Sequence, residues 1–281
     1  MPLIINTNIA SFTARRHLDN SQKDINRTIE HLASGLRVNS ARDDAAGQAI
    51  SARMTTQSRG MTVAIRNAND GISLGQTAEG ALSQLGNMIQ RMRDLAVQSA
   101  NATNTSADRA ALDDEYQALK DGVLQVVAQT QFNDKKILSG DAGTDYYQVG
   151  ANSGEMVTIT TTNMSALVAA VTGTYITGDG DIVTGGPGLA SIAMTVLKDQ
   201  LDVINTQRSK YGAAQARFEG IISQLQVTVE NQTAAISRIM DADFAAETSA
   251  LTRSQILQQA GTSVLQQANT LPNLAMQLLR G

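Results

Sequence analysis

Cysteine is absent from the 281 residues, which excludes disulfides and thiolate metal sites and leaves packing as the source of stability. A cysteine-free chain suits either side of a membrane, so redox compartment stays open. Tryptophan is also absent and aromatics make up only 3%, against 42% hydrophobic residues overall. A core must therefore be built from Leu, Ile, Val, Met and Ala, the residues of helix seams. Proline occurs only at Pro2, Pro187 and Pro272, so long stretches carry no strong helix breaker. The formal charge of −4 gives no electrostatic basis for a nucleic-acid partner or an anionic membrane surface. No apolar run reaches membrane-spanning length, so no membrane insertion is expected. The stretch Met1–Asn6 lacks a basic region followed by an apolar segment and a small-residue cleavage site. Export, if it occurs, is expected to proceed without a cleaved signal peptide.

What is present is helical periodicity. Leu197, Leu201, Ile204, Tyr211, Phe218, Ile222, Leu225, Val229, Ile236 and Ile239 fit a 4,3 repeat, with Arg208, Gln215 and Gln232 in the vacant seam positions. A helix over 190–239 is about 75 Å long and needs partners of similar length. One is the stripe from Ile50 through Met54, Met61, Ile65, Ala68 and Ile72 to Leu82, Leu85, Ile89, Met92 and Ala96. The methionines at 54, 61, 88 and 92 read as core filler. After the polar stretch 101–106, Thr105 and Asp108 form a capping-box signal, and Leu112, Tyr116, Leu119, Val123 and Val126 continue the repeat, which predicts a helical hairpin.

Residues 131–189 break the pattern. Tyr146–Gly150 and Met156–Thr160 read as strands flanking Ala151–Gly154, and 173–188 is rich in Gly and Thr, which predicts a small β insertion with a loop-like tip. The two ends carry stripes of their own: Leu18, Ile25, Ile29, Leu32 and Leu36 in front, and Leu257, Gly261, Val264, Ala268, Leu271, Ala275 and Leu278 behind. Breaks at 35–40 and 240–243 separate them from the middle, with Ser40 and Asp43 reading as the cap of the next helix. Nothing local covers these stripes, so their partners are expected to be each other and other copies of the chain. The expected fold is mainly α: a long antiparallel helical bundle (41–130 and 190–242), coiled-coil terminal helices (1–40 and 243–281) and a small β-hairpin region at the tip (131–189).

Catalytic and metal chemistry finds no residues. His17 and His31 lie at no metal spacing and read as surface histidines. Asp43-Asp44 and Asp113-Asp114 read as helix-start carboxylates rather than acid/base couples. Asp179-Gly180-Asp181 lacks the later Glu of a calcium loop and reads as a turn. No phosphate loop, nucleophile elbow or dinucleotide fingerprint occurs, so neither an enzyme nor a cofactor is expected.

The run Leu32–Gly47, with the segments Leu95–Asn101, Gln129–Asn133, Gln148–Asn152 and Ile256–Gly261, closely resembles bacterial flagellin, over roughly 1–160 and 190–281. The resemblance implies terminal helices that pair as a coiled coil in the core of a filament, a surrounding shell of middle helices, unfolded export through the flagellar type III apparatus, and residence in the extracellular flagellum. It implies as partners copies of the chain, a cytoplasmic export chaperone on the C-terminal segment, and the junction and cap proteins. The short segment between the strands and the C-terminal heptads departs from larger members and implies that separate outer domains are missing. Arg91, Leu95 and Glu115 match residues that similar flagellins present to the vertebrate Toll-like receptor for flagellin. Arg91 and Leu95 lie i,i+4 beside the helix seam, which leaves two readings: both face outward with Glu115 alongside across the hairpin, or Leu95 widens the bundle core and Arg91 with Glu115 form an ordinary surface ion pair. Within this resemblance the assembly seam is assigned to Leu18, Ile25, Ile29, Leu32, Leu257, Val264, Leu271 and Leu278. A flagellar junction protein would share the ends but agree less well across the central motif, and a helical adaptor would be stable as a monomer.

Overall fold

A computed structural model of the chain describes residues 7–176 and 188–280, with 271–280 described by backbone alone. The Asp179-Gly180-Asp181 turn therefore lies outside the described residues. Among the described residues six helices dominate: α1 (Ile9–Ser34), α2 (Ala45–Ser99), α3 (Ser106–Gln129), α4 (Ser165–Thr172), α5 (Leu189–Met240) and α6 (Phe244–Arg280). Four short strands, β1 (Gln131–Phe132), β2 (Lys135–Lys136), β3 (Thr144–Gln148) and β4 (Met156–Thr160), form two antiparallel hairpins. The fold is a mainly α bundle with a small β region. Two compact units divide the chain, one of Met1–Ser58 with Glu230–Gly281 and one of Arg59–Val229.

In the first unit α1 starts at Asn8, whose Oδ1 accepts the Ser11 amide at 3.0 Å, and stops at Gly35. Gly35 adopts the left-handed conformation (φ 71°) that glycine takes without a Cβ penalty, and its N–H closes on His31 O at 2.8 Å. Helix α6 starts at Asp243, whose Oδ1 accepts the amides of Ala245 and Ala246. The two breaks are clasped together. Leu36 and Asp241 form an antiparallel β-bridge, the Arg37 amide donates to Met240 O at 2.6 Å, and the Ala242 amide donates to Gly35 O at 2.9 Å. The Arg37 guanidinium also donates to Ile239 O, satisfying a carbonyl of the last turn of α5. The cap of α2 is Asp44, whose Oδ1 accepts the Gly47 amide at 2.8 Å, rather than Ser40. Asp43 instead closes the preceding turn by accepting from the Ser40 hydroxyl and the amides of Ser40 and Asn39; these bonds, the hydroxyl first, hold its carboxyl below the usual range.

In the second unit α2, α3 and α5 share one apolar core containing Leu82, Leu85, Ile89, Met92, Tyr116, Val123, Leu197, Ile204, Tyr211 and Phe218. Helix α5 runs antiparallel to α2, and glycine sets the approach. A Cβ on Gly71 would stand 2.9 Å from Phe218 Cζ. The Phe218 ring in turn meets Tyr147 edge-on, centroids 5.5 Å apart. The α2–α3 hairpin turns at 100–105, and Thr105 and Asp108 form the capping box read from the sequence. Asp113 and Asp114 lie well inside α3 and cap nothing; Asp113 instead opposes the desolvation that lowers the Lys120 pKa.

The 131–189 region is not only strand and loop. It opens with a tight β1–β2 hairpin whose turn residues Asn133 and Asp134 both have positive φ (51° and 63°), and it contains α4, whose Leu167 and Val171 are buried. Tyr116 Oη lies 2.5 Å from Thr174 Oγ1, and Lys120 donates to Thr174 O at 3.2 Å with its ammonium 4.2 Å from the Tyr175 ring centre. These contacts tie the segment after α4 to α3.

Candidate functional site

The site to be accounted for is the pair of terminal helices. They run antiparallel. Asn8 Nδ2 donates to Ala268 O and the Ser11 hydroxyl to Asn269, both at 2.8 Å, Gln258 Nε2 donates to Gln22 Oε1 at 2.5 Å, and His31 Nδ1 lies 2.9 Å from Glu247 Oε1. The covered face of α1 is Ala14, Leu18, Ser21, Ile25, Thr28 and Leu32, a 4,3 repeat in which half the members are small or polar, with His31 beside it. On α6 the covered face follows Leu251, Ser254, Gln258, Gly261, Leu265 and Ala268, again at 3,4 spacing. Gly261 sits against Leu18, whose methyl is 3.5 Å from the position a Cβ would take there.

A second set of apolar side chains on the same helices faces out. Ile9, Phe12 and Ile29 on α1 and Phe244, Ile256, Leu257 and Val264 on α6 are each about half exposed or more. Thr248, Ser249, Thr252, Arg253, Ile256 and Leu257 line a shallow groove of about 500 Å³ along α6. The residues read as one seam therefore divide. Leu18, Ile25 and Leu32 lie at the α1–α6 contact, whereas Ile29, Leu257 and Val264 stand outside it at 49%, 53% and 54% exposure. The side chains of Leu271 and Leu278 lie outside the described residues.

His31 is not a surface histidine. It is 8% exposed, because α6 lays the Glu247 carboxylate against it. Counting apolar positions does not reveal such a pair, since its members are 216 positions apart and both are polar.

In the second unit Arg91 and Glu115 meet across the α2–α3 hairpin, Nη2 and Nε donating to Glu115 Oε1 at 2.7 and 2.8 Å, with both side chains about half exposed. Leu95 does not lie between them facing outward. It is 0% exposed, because α2 is covered on more than one side and its buried arc is wider than one seam. Among the described residues no group of three or more His, Cys, Asp or Glu is placed to hold a metal, and no helix is long and apolar enough to cross a membrane.

Capped long helices, an antiparallel terminal pair and half-exposed apolar side chains beside it define the class: a helical structural protein of the long-bundle kind. Comparison gives the family. Residues 5–142 match the bacterial flagellin N-terminal helical region and residues 194–279 the bacterial flagellin C-terminal helical region. The flagellin of Halalkalibacterium halodurans is 43% identical over 280 residues, covering 99% of this chain and all of that one. Flagellin A of Vibrio anguillarum is 36% identical over 379 aligned positions, covering both chains fully, so it carries segments that these 281 residues lack. The crystal structure of Bacillus cereus flagellin superposes with a TM-score of 0.50 at 29% identity, covering 61% of this chain and 94% of that one. A putative flagellar hook-associated protein from Vibrio parahaemolyticus reaches 0.58 at 12% identity and shares the fold alone. The chain belongs to the bacterial flagellin family, as a short form without a large outer domain. It is a structural subunit that polymerises with its own copies into the extracellular filament of the bacterial flagellum.

Proposed function

We propose that polymerisation runs through the outward apolar side chains of the α1–α6 pair, Ile9, Phe12 and Ile29 with Phe244, Ile256, Leu257 and Val264. The observation that carries the reading is this second stripe, half exposed beside a face already covered within the chain. Apolar side chains that are already half covered gain about a further 1 kcal/mol each when a neighbouring copy buries the rest. On this reading 1–40 and 243–281 form a coiled-coil core domain, 41–130 with 190–242 the central bundle and 131–189 the tip. The chain has no catalytic role, and Leu18, Ile25 and Leu32 act in assembly by holding the two terminal helices together. Family membership supports an export chaperone bound to the C-terminal segment, junction and cap proteins at the ends of the polymer, and export through the flagellar type III apparatus.

Because the covered α1–α6 face is rich in small and polar residues, the pair is marginal alone and becomes rigid on polymerisation. Hydrogen exchange tests this. Amides of 9–34 and 244–270 are expected to exchange freely in dilute chain and slowly in pelleted polymer, and strong protection in dilute chain would show that the stripes are already buried there.

A second reading concerns recognition by the vertebrate Toll-like receptor for flagellin through Arg91 and Glu115, with Leu95 backing them from the core. The exposed Arg91–Glu115 pair supports it, since an ion pair half in water contributes only about 0–1 kcal/mol to folding and is free to engage a partner. Folded Arg91→Ala and Glu115→Ala chains should bind the receptor more weakly; unchanged affinity in both refutes the assignment.

A further inference from the structure

We propose that the α1–α6 pair is a slide held at one end: the clasp at Gly35 and Asp241 fixes its register, and once the clasp opens α1 steps one heptad along α6, away from the clasp. The packing face itself repeats. On α1 the small residues Ala14, Ser21 and Thr28 alternate with Leu18, Ile25 and Leu32, each set at heptad spacing. On α6 Ser254, Gly261 and Ala268 alternate with Leu251, Gln258 and Leu265 at the same spacing. Large side chains of one helix seat on small ones of the other, as Leu18 does on Gly261. A step of one heptad, about 10.5 Å, therefore sets Leu18 on Ala268 and returns the same kind of fit along the face.

Side chains add little to the choice of register. Gln22 with Gln258 and Ser11 with Asn269 are hydrogen-bonded at exposed positions, where water replaces either partner. His31 with Glu247 and Asn8 with Ala268 O are more sheltered, but this register also leaves His31 Nε2 shielded with no partner among the described residues. The clasp is what has no counterpart one heptad on. The Leu36–Asp241 bridge and the amides of Arg37 and Ala242, donating to Met240 O at 2.6 Å and Gly35 O at 2.9 Å, form only when the end of α1 stands beside the start of α6.

Direction follows from the helix ends. Movement toward the clasp would carry Leu32 past Phe244, where α6 begins, whereas movement away keeps α1 beside helix, since α6 runs on to Arg280. The link Gly35–Asp44, folded into turns, reaches roughly 30 Å when extended and can supply the step.

The test uses disulfide trapping, because introduced cysteines are the only thiols in a chain that has none of its own. Leu18→Cys is combined in turn with Gly261→Cys, Ala268→Cys and Ser254→Cys, which report the present register and a step of one heptad either way. Successive members of this column stand about 10.5 Å apart, beyond the ~7 Å between Cα atoms that a disulfide spans. Each pair is oxidised in dilute full chain with the clasp intact, and again with Arg37→Pro and Ala242→Pro, which remove the two clasp amides and leave every packing residue in place. Leu36 and Asp241, the residues before these positions, lie in the β-bridge and already have the extended backbone a following proline requires. With the clasp intact only the Gly261→Cys pair should close. With it opened, closure of the Ala268→Cys pair should rise roughly tenfold, the effect of losing two backbone hydrogen bonds, while the Ser254→Cys pair stays open. Exclusive closure of the Gly261→Cys pair in the opened chain overturns the slide, as does an equal rise at Ser254→Cys and Ala268→Cys, which is a loosened pair without register. Should the double-proline chain lose terminal helix, Ala242→Pro alone decides: a rise at Ala268→Cys supports the slide, and unchanged closure overturns it. Trapping is read within single dilute chains, so failure of the assembly reading leaves these outcomes untouched.

Discussion

Leu257→Asp separates folding from assembly. In the chain alone Leu257 is 53% exposed and lies outside the α1–α6 contact, so the substitution should change the stability of the folded unit by no more than about 0.5 kcal/mol. In a dry seam between copies the same change loses the burial of the remaining half side chain, about 1 kcal/mol, and strands a carboxylate, which costs several more. A total of roughly 3 kcal/mol or more corresponds to a hundredfold or greater rise in the concentration of chain left soluble beside polymer. Sedimentation at fixed total concentration reads that quantity, electron microscopy reads filament formation, and circular dichroism reads the central helices. Ile25→Asp is the contrasting variant: at 6% exposure it breaks the α1–α6 contact itself and should remove terminal helix content as well as filaments. Normal filaments with a normal soluble fraction from Leu257→Asp would refute the assignment of this face.

Two further outcomes concern the second unit. Gly71→Leu forces side-chain atoms into the buried Phe218 ring, already 2.9 Å from a bare Cβ and braced by Tyr147, and should lower stability by about 1–3 kcal/mol in denaturant melts; an unchanged midpoint would mean that α2 and α5 are not held at this spacing. Burial pushes the phenols of Tyr147 and Tyr211 up to about 12, with Asp145 adding to both. A raised acid pKa in the folded state means that stability is lost as pH climbs above the unfolded value of about 10, so melting temperature should fall from there upward, and Tyr147→Phe should reduce the slope.

Much of the bundle is legible because a 4,3 repeat of large apolar residues has few alternatives in a proline-poor chain. Leu197, Ile204, Tyr211 and Phe218 are all buried where the repeat places them. The terminal pair is harder to read. Its covered face uses Ala14, Thr28, Ser254 and Gln258, which a count of large apolar positions passes over, while Leu257 and Val264, which the count selects, point away. Leu95 shows the limit of seam geometry. A helix covered on several sides buries more than its a and d positions, and the sequence does not state how many neighbours it has. The β1–β2 hairpin carried a signal in Asn133-Asp134, two residues that tolerate positive φ, and α4 carried one in the spacing of Leu167, Val168 and Val171. Both are short, and short elements are fixed by what they pack on rather than by their own pattern. Asp113 and Asp114 lie two turns past the Thr105 cap that the sequence already signals, too far in to meet the free amides of the first turn.

The central claim, that the terminal helices carry assembly, is tested most directly by sedimentation of the full chain beside a chain spanning 41–242. The account predicts that the full chain pellets as filaments above a threshold concentration, while the shortened chain stays soluble with its central helices intact. Filaments from the shortened chain, at the same threshold and with the same helix content, would contradict it.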